Sequence, residues 1–241
     1  MLMKPSLPRS GGGRARVSLL LAVLAWTGYG PPPSPAQQTP PPRTSYKGRE
    51  IAQTMSFHGA PWLLRPEREK EEEPAQLLKA LRIRKGQRVA DIGCGNGFYS
   101  LRMARLAGPE GRVLAVDIQP EMLSLLRDRA RQAGLENIEP VLGRPFDPKL
   151  PQGQLDLILL VDVYHEFAYP ERMLAAMRES LKPNGVIALA EYRAEDPKVP
   201  IRQRHKMSKQ QILKEFAPNG LRLAREYDGL PWQHLMFFKR K

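Results

Sequence analysis

The sequence predicts an α/β fold built on a doubly wound sheet of seven strands, mostly parallel and ending in an antiparallel hairpin. Between residues 88 and 190, short apolar runs alternate with longer segments whose apolar residues recur at helical spacing. A loop with glycine at every second position joins the first strand to the helix after it. Only a short loop with Asp228 and Gly229 separates the last two strand-like runs. Alternating strands and helices imply right-handed crossovers and a parallel sheet, whereas the short final loop requires antiparallel strands.

Each element follows from a local pattern. An acidic stretch at residues 67–73 precedes Pro74, and the leucines 77, 78 and 81 follow at helical spacing, so a helix is predicted to begin at Pro74. Residues 155–162 are apolar enough for a strand that is covered on both faces. The predicted strands are 88–92, 112–117, 138–142, 155–162, 186–190, 221–227 and 234–238. The further predicted helices are 97–107, 120–133, 170–181 and 208–216, with a turn at 182–185.

The first 73 residues predict three segments that precede the α/β domain at residues 74–241. Basic residues before an apolar run at 17–26, followed by Ser34-Pro35-Ala36, are typical of a secretory signal over residues 1–36. Prolines crowd the chain between Pro31 and Pro42, which predicts a disordered tether over residues 37–54. Residues 55–73 form an N-terminal extension, either a lid or a docked surface segment. The signal predicts a periplasmic or secreted protein, and a true start at Met55 would instead make it cytoplasmic.

Charge and cysteine content set broader bounds. The formal net charge is +13, and residues 198–241 hold eleven Lys and Arg against three acidic residues. Such a basic region is either a solvated surface or an attraction for an anionic partner such as nucleic acid, lipid headgroups or an acidic substrate. The apolar run at 17–26 is too short to span a bilayer, so no stable membrane span is expected after signal removal. A single cysteine, Cys94, excludes an intramolecular disulfide.

The glycine loop carries the sharpest functional signal. It reads Asp91-Ile-Gly93-Cys94-Gly95-Asn-Gly97 between a strand and a helix, where glycines let the backbone turn tightly and approach a ligand. The dinucleotide fingerprint places its third glycine three residues after the second, and here that position is Phe98. The loop also lacks the Lys-Ser/Thr pair of a phosphate-binding P-loop. Asp117 ends the next strand, where a carboxylate either accepts both ribose hydroxyls or caps the following helix.

With these motifs the sequence resembles the class I S-adenosylmethionine-dependent methyltransferases, which have a Rossmann-like fold. The resemblance extends from about Pro74 to the C-terminus. The glycine loop is similar to the family's first motif and residues 113–117 to its second. Residues 155–162 are similar to the fourth, and residues 181–187 to the turn and strand after it. Residues 55–68 resemble those of a poorly characterised bacterial group expected to be methyltransferases.

The resemblance implies S-adenosyl-L-methionine as cofactor. Asp91 would then orient its amino group, directly or through water, Asp117 its ribose, Ile118 its adenine, and Asp162 would face its methionine end and the acceptor. One position departs from the family, because Arg144 stands where many relatives carry an acid that accepts the adenine amino group, and arginine accepts no hydrogen bond. Asp147 or a backbone carbonyl would have to substitute. The implied cofactor-binding residues are Asp91, Gly93, Cys94, Gly95, Gly97, Asp117, Ile118 and Asp162.

The segment after the fourth strand supplies the candidate catalytic residues Asp162, Tyr164 and His165. It lies at the carboxyl end of a central strand, where open α/β sheets present ligands. His165 titrates near neutrality and is either a general base or a positioning residue. Tyr164 and Phe167 either flank the cationic sulfonium or pack in the core. The histidine spacings match no familiar ligand pattern, so the sequence predicts no metal site.

Three functions fit these features. The leading one is a methyltransferase with a small-molecule acceptor. The basic C-terminal region suggests RNA or DNA as an alternative acceptor, although residues 162–165 lack the Asn/Asp-Pro-Pro-aromatic signature that amino-methylating nucleic-acid enzymes carry. An exported chain would enter a compartment not expected to hold S-adenosylmethionine, so a non-catalytic binding module is the third. The sequence predicts neither the acceptor nor the oligomeric state.

Overall fold

The computed structural model describes residues 40–241, and the structural statements below concern these residues. The predicted export signal at residues 1–36 and the first three residues of the predicted tether lie outside the described part of the chain. Between residues 40 and 241, no helix combines the length and apolar character needed to cross a bilayer.

The main sheet confirms the predicted architecture. The strands are β1 (Ser45–Tyr46), β2 (Arg49–Glu50), β3 (Arg88–Ile92), β4 (Arg112–Asp117), β5 (Ile138–Leu142), β6 (Leu155–Val161), β7 (Leu181–Arg193), β8 (Lys206–Met207), β9 (Leu221–Tyr227) and β10 (Gln233–Arg240). The sheet has the order β5-β4-β3-β6-β7-β10-β9, and the short strand β8 pairs with β7. The strands from β5 to β7 are parallel, while β10 runs antiparallel to both β7 and β9. The predicted C-terminal hairpin is therefore present at the sheet edge.

Helices cover both faces of this sheet. They are α1 (Arg68–Glu71), α2 (Pro74–Leu81), α3 (Phe98–Ala107), α4 (Pro120–Gln132), α5 (Pro170–Ser180) and α6 (Lys209–Phe216). Proline stands in the first helical positions of α2, α4 and α5, where its missing N–H costs nothing. The Ser208 side chain accepts from the backbone N–H of Gln211 and so caps α6.

The central strand β6 shows how the two apolar layers arise. Ile158 and Leu160 pack in the cluster that includes residues of α5 and α6, whereas Leu157 and Leu159 pack in the cluster with α2 and α3. Successive side chains of a strand point to opposite faces, so β6, which is covered on both faces, is apolar at every position except the partly buried Asp156.

Strand β7 contains the predicted turn as a bulge. Its pairing with β6 passes from Leu155–Leu181 directly to Leu157–Val186, so residues 182–185 protrude from the ladder. Lys182-Pro-Asn-Gly185 therefore interrupts β7 close to its start, where the sequence predicts the turn.

The segment before the domain differs from the expected tether. From Arg43 onward the described chain packs on the domain: the N–H of Arg43 donates to the carbonyl of Ala168 at 3.2 Å, and that of Ala52 donates to the carbonyl of His165 at 3.1 Å. The Tyr46 side chain is buried. Residues 43–54 are thus an ordered part of the fold, because the buried side chains of Tyr46 and Ala52 and the short β1–β2 pairing hold them.

Strand order places the functional edge of the sheet. From β3 the chain proceeds to β4 and β5 on one side, and then returns to β6 and β7 on the other side of β3. Ligands of open α/β sheets bind outside the carboxyl ends of the strands at such a switch point. The glycine loop follows β3 and Asp162 follows β6, so both lie at this position.

Candidate active site

A cleft of about 790 Å³ opens at the carboxyl ends of β3, β4, β6 and β7. This volume lies within the range of small-molecule sites, roughly 300–1,000 Å³. Of the residues predicted to bind a cofactor or to act in catalysis, the cleft is lined by Gly93, Gly95, Asp117, Ile118, Asp162 and His165. These six residues come from three separate stretches of the chain, and the parallel sheet brings them to one edge.

The glycine loop exposes bare backbone to this cleft. The N–H groups of Gly93 and Cys94 both donate to the carbonyl of Val116, which ties the loop to β4. Gly93 has a φ of +68°, and a Cβ there would lie 2.4 Å from Cγ2 of Val163. Gly97 has a φ of +84°, and a Cβ there would lie 2.9 Å from Cγ of Leu126. Gly93 is therefore required by the cleft wall, whereas Gly97 is required by the packing of α4 against the loop.

Asp117 occupies the position predicted for a ribose-binding carboxylate. Its Oδ2 accepts from the N–H of Gly95 and its Oδ1 from the N–H of Gln119, both at 2.9 Å. Burial raises the pKa of this carboxyl group, although these backbone hydrogen bonds oppose the shift. Each carboxylate oxygen can accept a second hydrogen bond, so Asp117 retains capacity for ligand hydroxyls. Ile118 beside it is 40% exposed and offers the cleft an apolar surface.

Asp91, Cys94 and Gly97 are buried and do not line the cleft. The hydroxyl of Ser100 donates to Oδ2 of Asp91 at 2.6 Å. Burial raises the pKa of Asp91 to about 7, with the Ser100 hydrogen bond opposing the rise. Burial also raises the pKa of the Cys94 thiol. The strand directs Asp91 toward the first turn of α3. The contacts of these three residues with a ligand, which for Asp91 would be direct or through water, stay predictions.

Asp162, at the end of β6, has an uncommon backbone conformation and a buried carboxyl oxygen without a hydrogen-bond partner. Its φ is +50°, a left-handed conformation that is uncommon for any residue other than glycine. Its Oδ2 accepts from Nε2 of Gln233 at 2.6 Å, while its buried Oδ1 has no hydrogen-bond partner. Burial and the Glu72 carboxylate raise the pKa of Asp162 well above its usual range. Strain together with an orphaned buried oxygen is typical of a ligand site.

Tyr164 belongs to the core rather than to the cleft. Its side chain is fully buried, and its hydroxyl donates to Oε2 of Glu215 at 2.7 Å. Its ring packs edge-on against Phe216 and Phe167. The candidate catalytic role of Tyr164 is thus wrong, because the short 3₁₀ turn after β6 directs this side chain toward α6. Phe167, three residues later, lines the cleft.

His165 lines the cleft within a dense polar cluster. Its Nδ1 lies 2.6 Å from Oε2 of Glu191 and its Nε2 lies 3.1 Å from Nδ1 of His205. Burial by itself lowers the pKa of His165, but the Glu191 carboxylate more than offsets this and the pKa is raised. Burial raises the pKa of Glu166 to about 7. The sequence assigns His205 no role, because the histidine spacings match no familiar ligand pattern and its 40-residue separation from His165 leaves no local signal.

The N-terminal extension forms part of the cleft wall. Trp62 and Leu63 line the cleft, and the amide of Asn96 donates to the carbonyl of Ala60 at 2.9 Å. Gln119 bonds the same segment twice, since its Oε1 accepts from the N–H of Phe57 and its Nε2 donates to the carbonyl of Met55. The lid that the sequence predicts for residues 55–73 remains a prediction.

Asp147 is one of the two substitutes expected for the acid that Arg144 replaces. Both carboxylate oxygens of Asp147 are taken by Lys149: Oδ1 accepts from its N–H at 2.8 Å and Oδ2 pairs with its ammonium at 2.6 Å. Asp147 does not line the cleft, whereas Arg144 and Gly143 do. Both substitutes expected for the missing acid, Asp147 and a backbone carbonyl, stay predictions.

Comparison with known proteins identifies the family to which the chain belongs. Residues 83–229 match the family described as methyltransferase domain. The chain therefore belongs to this family, and the resemblance to class I S-adenosylmethionine-dependent methyltransferases is confirmed. A solved structure of a SAM-dependent methyltransferase from Aquifex aeolicus has a TM-score of 0.72 at 23% identity, covering 77% of this chain and 98% of that one, which shows a shared fold.

Curated relatives differ in the acceptor that they name. Demethylmenaquinone methyltransferase from Listeria monocytogenes is 30% identical over 113 residues, covering 47% of this chain and 48% of the relative. Protein-L-isoaspartate O-methyltransferase from Ignicoccus hospitalis is 28% identical over 115 residues, covering 48% and 52%. The chain spans about half the length of the curated relatives it matches, so these relatives show the shared domain and leave the acceptor undefined.

Proposed function

We propose that this protein transfers a methyl group from S-adenosylmethionine to a small-molecule acceptor. The observation that carries the proposal is the convergence of a bare glycine loop, Asp117 and the orphaned carboxylate of Asp162 on one cleft. When bound, S-adenosylmethionine supplies an activated methyl group on a sulfonium. The residues of this chain have to hold the donor, orient the acceptor and keep water away from both.

The residues present fit such a ligand. A Cβ at Gly93 or Gly95 would fill the loop face, lying 2.4 Å from Val163 or 2.7 Å from Leu63, so this cradle depends on glycine. Asp117 would accept the ribose hydroxyls and the exposed Ile118 would support the adenine. Asp162 would hold the cationic methionine end with its free Oδ1, because a buried carboxylate without a partner is costly until a donor reaches it.

The acceptor end supports a small, partly apolar molecule. Phe167, Met173 and Ile201 line this part of the cleft, with His165 as a polar group among them. Correct alignment of a nucleophile with the donor is worth about 7–11 kcal/mol of the reaction barrier. Where the acceptor must lose a proton, the His165 imidazole would take it, and Glu191 would orient the ring.

Calorimetry of the full chain with S-adenosylhomocysteine tests the cofactor site. We expect Asp117→Ala to weaken binding by about 1–3 kcal/mol, or roughly 5- to 150-fold, because ribose hydroxyls lose a charge-assisted partner. The exposed Asp128→Ala on α4 is the matched control and should bind like the wild type.

Asp117 also holds the N–H groups of Gly95 and Gln119, so its loss could act through the loop. A 2′,3′-dideoxy analogue of S-adenosylhomocysteine separates the two effects, because it has no hydroxyls for Asp117 to bind. The variant should lose affinity for the hydroxylated ligand and much less for the analogue. Equal losses for both ligands would remove Asp117 from the ribose site. No binding of S-adenosylhomocysteine to the wild type would favour a binding module for another ligand.

A further inference from the structure

Three potential metal ligands meet at the acceptor end of the cleft. Nitrogen atoms of His165 and His205 and a carboxylate oxygen of Glu166 all lie within 4.8 Å of one another. All three residues line the cleft. His165 and Glu166 belong to the short turn after β6, whereas His205 precedes β8, which pairs with the end of β7. The sequence predicts no metal here because only the pairing of β8 brings His205 to this place.

The distances match a shared cation. Nε2 of His165 lies 3.1 Å from Nδ1 of His205 and 4.0 Å from Oε1 of Glu166. Ligands that bind zinc tetrahedrally at about 2.0–2.1 Å lie roughly 3.3 Å apart. The histidine pair is therefore already near the spacing that such an ion requires, and a modest rotation of Glu166 would complete a three-ligand set. A direct hydrogen bond between the two imidazoles has the same nitrogen spacing, so the two arrangements must be separated by experiment.

The surroundings orient His165 as a metal ligand requires. Glu191 is fully buried and accepts the backbone N–H of His165 at 3.2 Å while contacting its Nδ1 at 2.6 Å. An Nδ1–H donated to this carboxylate leaves the lone pair of Nε2 directed toward His205 and the cleft. A carboxylate behind a histidine is the usual support of a metal-binding imidazole. The guanidinium of Arg49 donates to the His165 carbonyl at 2.8 Å and fixes the turn further.

We propose that His165, Glu166 and His205 bind one divalent transition-metal ion of the zinc type. Imidazole and carboxylate ligands suit this class of ion, and the carboxylates of Glu166 and Glu191 offset its charge. Three protein ligands leave a coordination position open toward the cleft, as in catalytic rather than structural sites. An oxygen of the acceptor would take this position, and that part of the inference rests on the proposed function.

Metal binding is tested without any turnover. The full chain is treated with a chelator and dialysed, and Co²⁺ and then Zn²⁺ are titrated while visible absorption and heat are recorded. We expect one ion per chain, with the intense Co²⁺ absorption that four- or five-coordinate nitrogen and oxygen sites produce. His205→Ala and Glu166→Gln should both abolish this spectrum, and Glu191→Gln should weaken binding roughly 10- to 100-fold.

His58→Ala is the matched control, since His58 is exposed and does not line the cleft. It should bind metal like the wild type, and thermal unfolding of each variant shows that the fold persists. An unchanged spectrum in both His205→Ala and Glu166→Gln, or no binding to the wild type at millimolar metal, would overturn the site and leave the hydrogen-bonded histidine pair. Titration with S-adenosylhomocysteine is scored separately, so that loss of the metal site and loss of the proposed function are distinguishable.

Discussion

Asp91 should make the fold less stable at neutral pH than an uncharged residue would. The side chain is buried behind the glycine loop, and burial raises its pKa from 3.8 to about 7. Replacing it with asparagine removes the charge and keeps the size of the side chain. The amide can still accept the backbone N–H of Ser100 and donate to its hydroxyl, so Asp91→Asn should lose little packing.

The magnitude follows from the pKa difference between the two states. A folded pKa above the unfolded one means that the folded protein retains the proton longer, so stability is full below about pH 4 and falls as pH rises through 7. A rise of roughly three pKa units corresponds to about 4 kcal/mol between these limits. Of this, about 2.5 kcal/mol falls between pH 5 and pH 8. Asp91→Asn should therefore be more stable than the wild type at pH 8, by a margin that shrinks toward pH 5.

Urea unfolding of both proteins at several pH values measures this margin. Other buried acidic groups titrate in the same window, and subtraction of the two curves cancels their contribution. Asp128→Asn on the exposed face of α4 is the control and should run parallel to the wild type. A difference between wild type and Asp91→Asn that stays constant from pH 5 to pH 8 would refute the reasoning.

Two further substitutions test the loop and the core. Gly93→Ala should unfold at lower urea concentration than Gly153→Ala. Both glycines have a left-handed φ, near +68° and +65°. Only at Gly93 would the new Cβ meet a neighbour, which is Val163 at 2.4 Å. The left-handed backbone should cost about 1–2 kcal/mol in each variant, so equal stability of the two would show that the loop simply moves aside. Tyr164→Phe should lose about 1–3 kcal/mol of unfolding free energy, because the Glu215 carboxylate loses a buried donor, while its affinity for S-adenosylhomocysteine stays that of the wild type. A large loss of affinity at unchanged stability would show instead that Tyr164 contributes to the ligand site.

Most of the secondary structure could be predicted from local patterns. Strands β3, β4 and β5 have the predicted limits, and β6 and α5 each end one residue earlier than expected. Strands β3, β4 and β6 are largely buried and α5 is amphipathic, so hydrophobic patterning marks them clearly. The segment around β1 and β2 was expected to be a tether, because it follows a proline-rich stretch and is largely polar, with few apolar residues such as Tyr46 and Ala52 to anchor it.

The residues of the candidate site that could be predicted are those whose positions depend on local backbone geometry. Gly93 and Asp117 line the cleft as expected, since a left-handed turn and a strand end each leave a signature in a few adjacent residues. Of the two alternatives for Tyr164, the structure shows packing in the core, and the contact of Asp91 with a ligand stays a prediction. A motif gives the position of a residue in the chain and not the direction of its side chain. His205 had no predicted role, because the spacing of the histidines matches no familiar ligand pattern.

The sequence by itself therefore determined the fold class, the glycine loop and the end of the strands at which the site was expected, because these depend on periodicity, glycine spacing and the alternation of strands and helices. Only the tertiary structure decided which side chains enter the cleft. The turn after β6 sends Tyr164 into the core and His165 into the cleft, and the pairing of β8 with β7 delivers His205 from 40 residues away. Side-chain directions and contacts between residues far apart in the chain arise from packing, which no local stretch of sequence encodes.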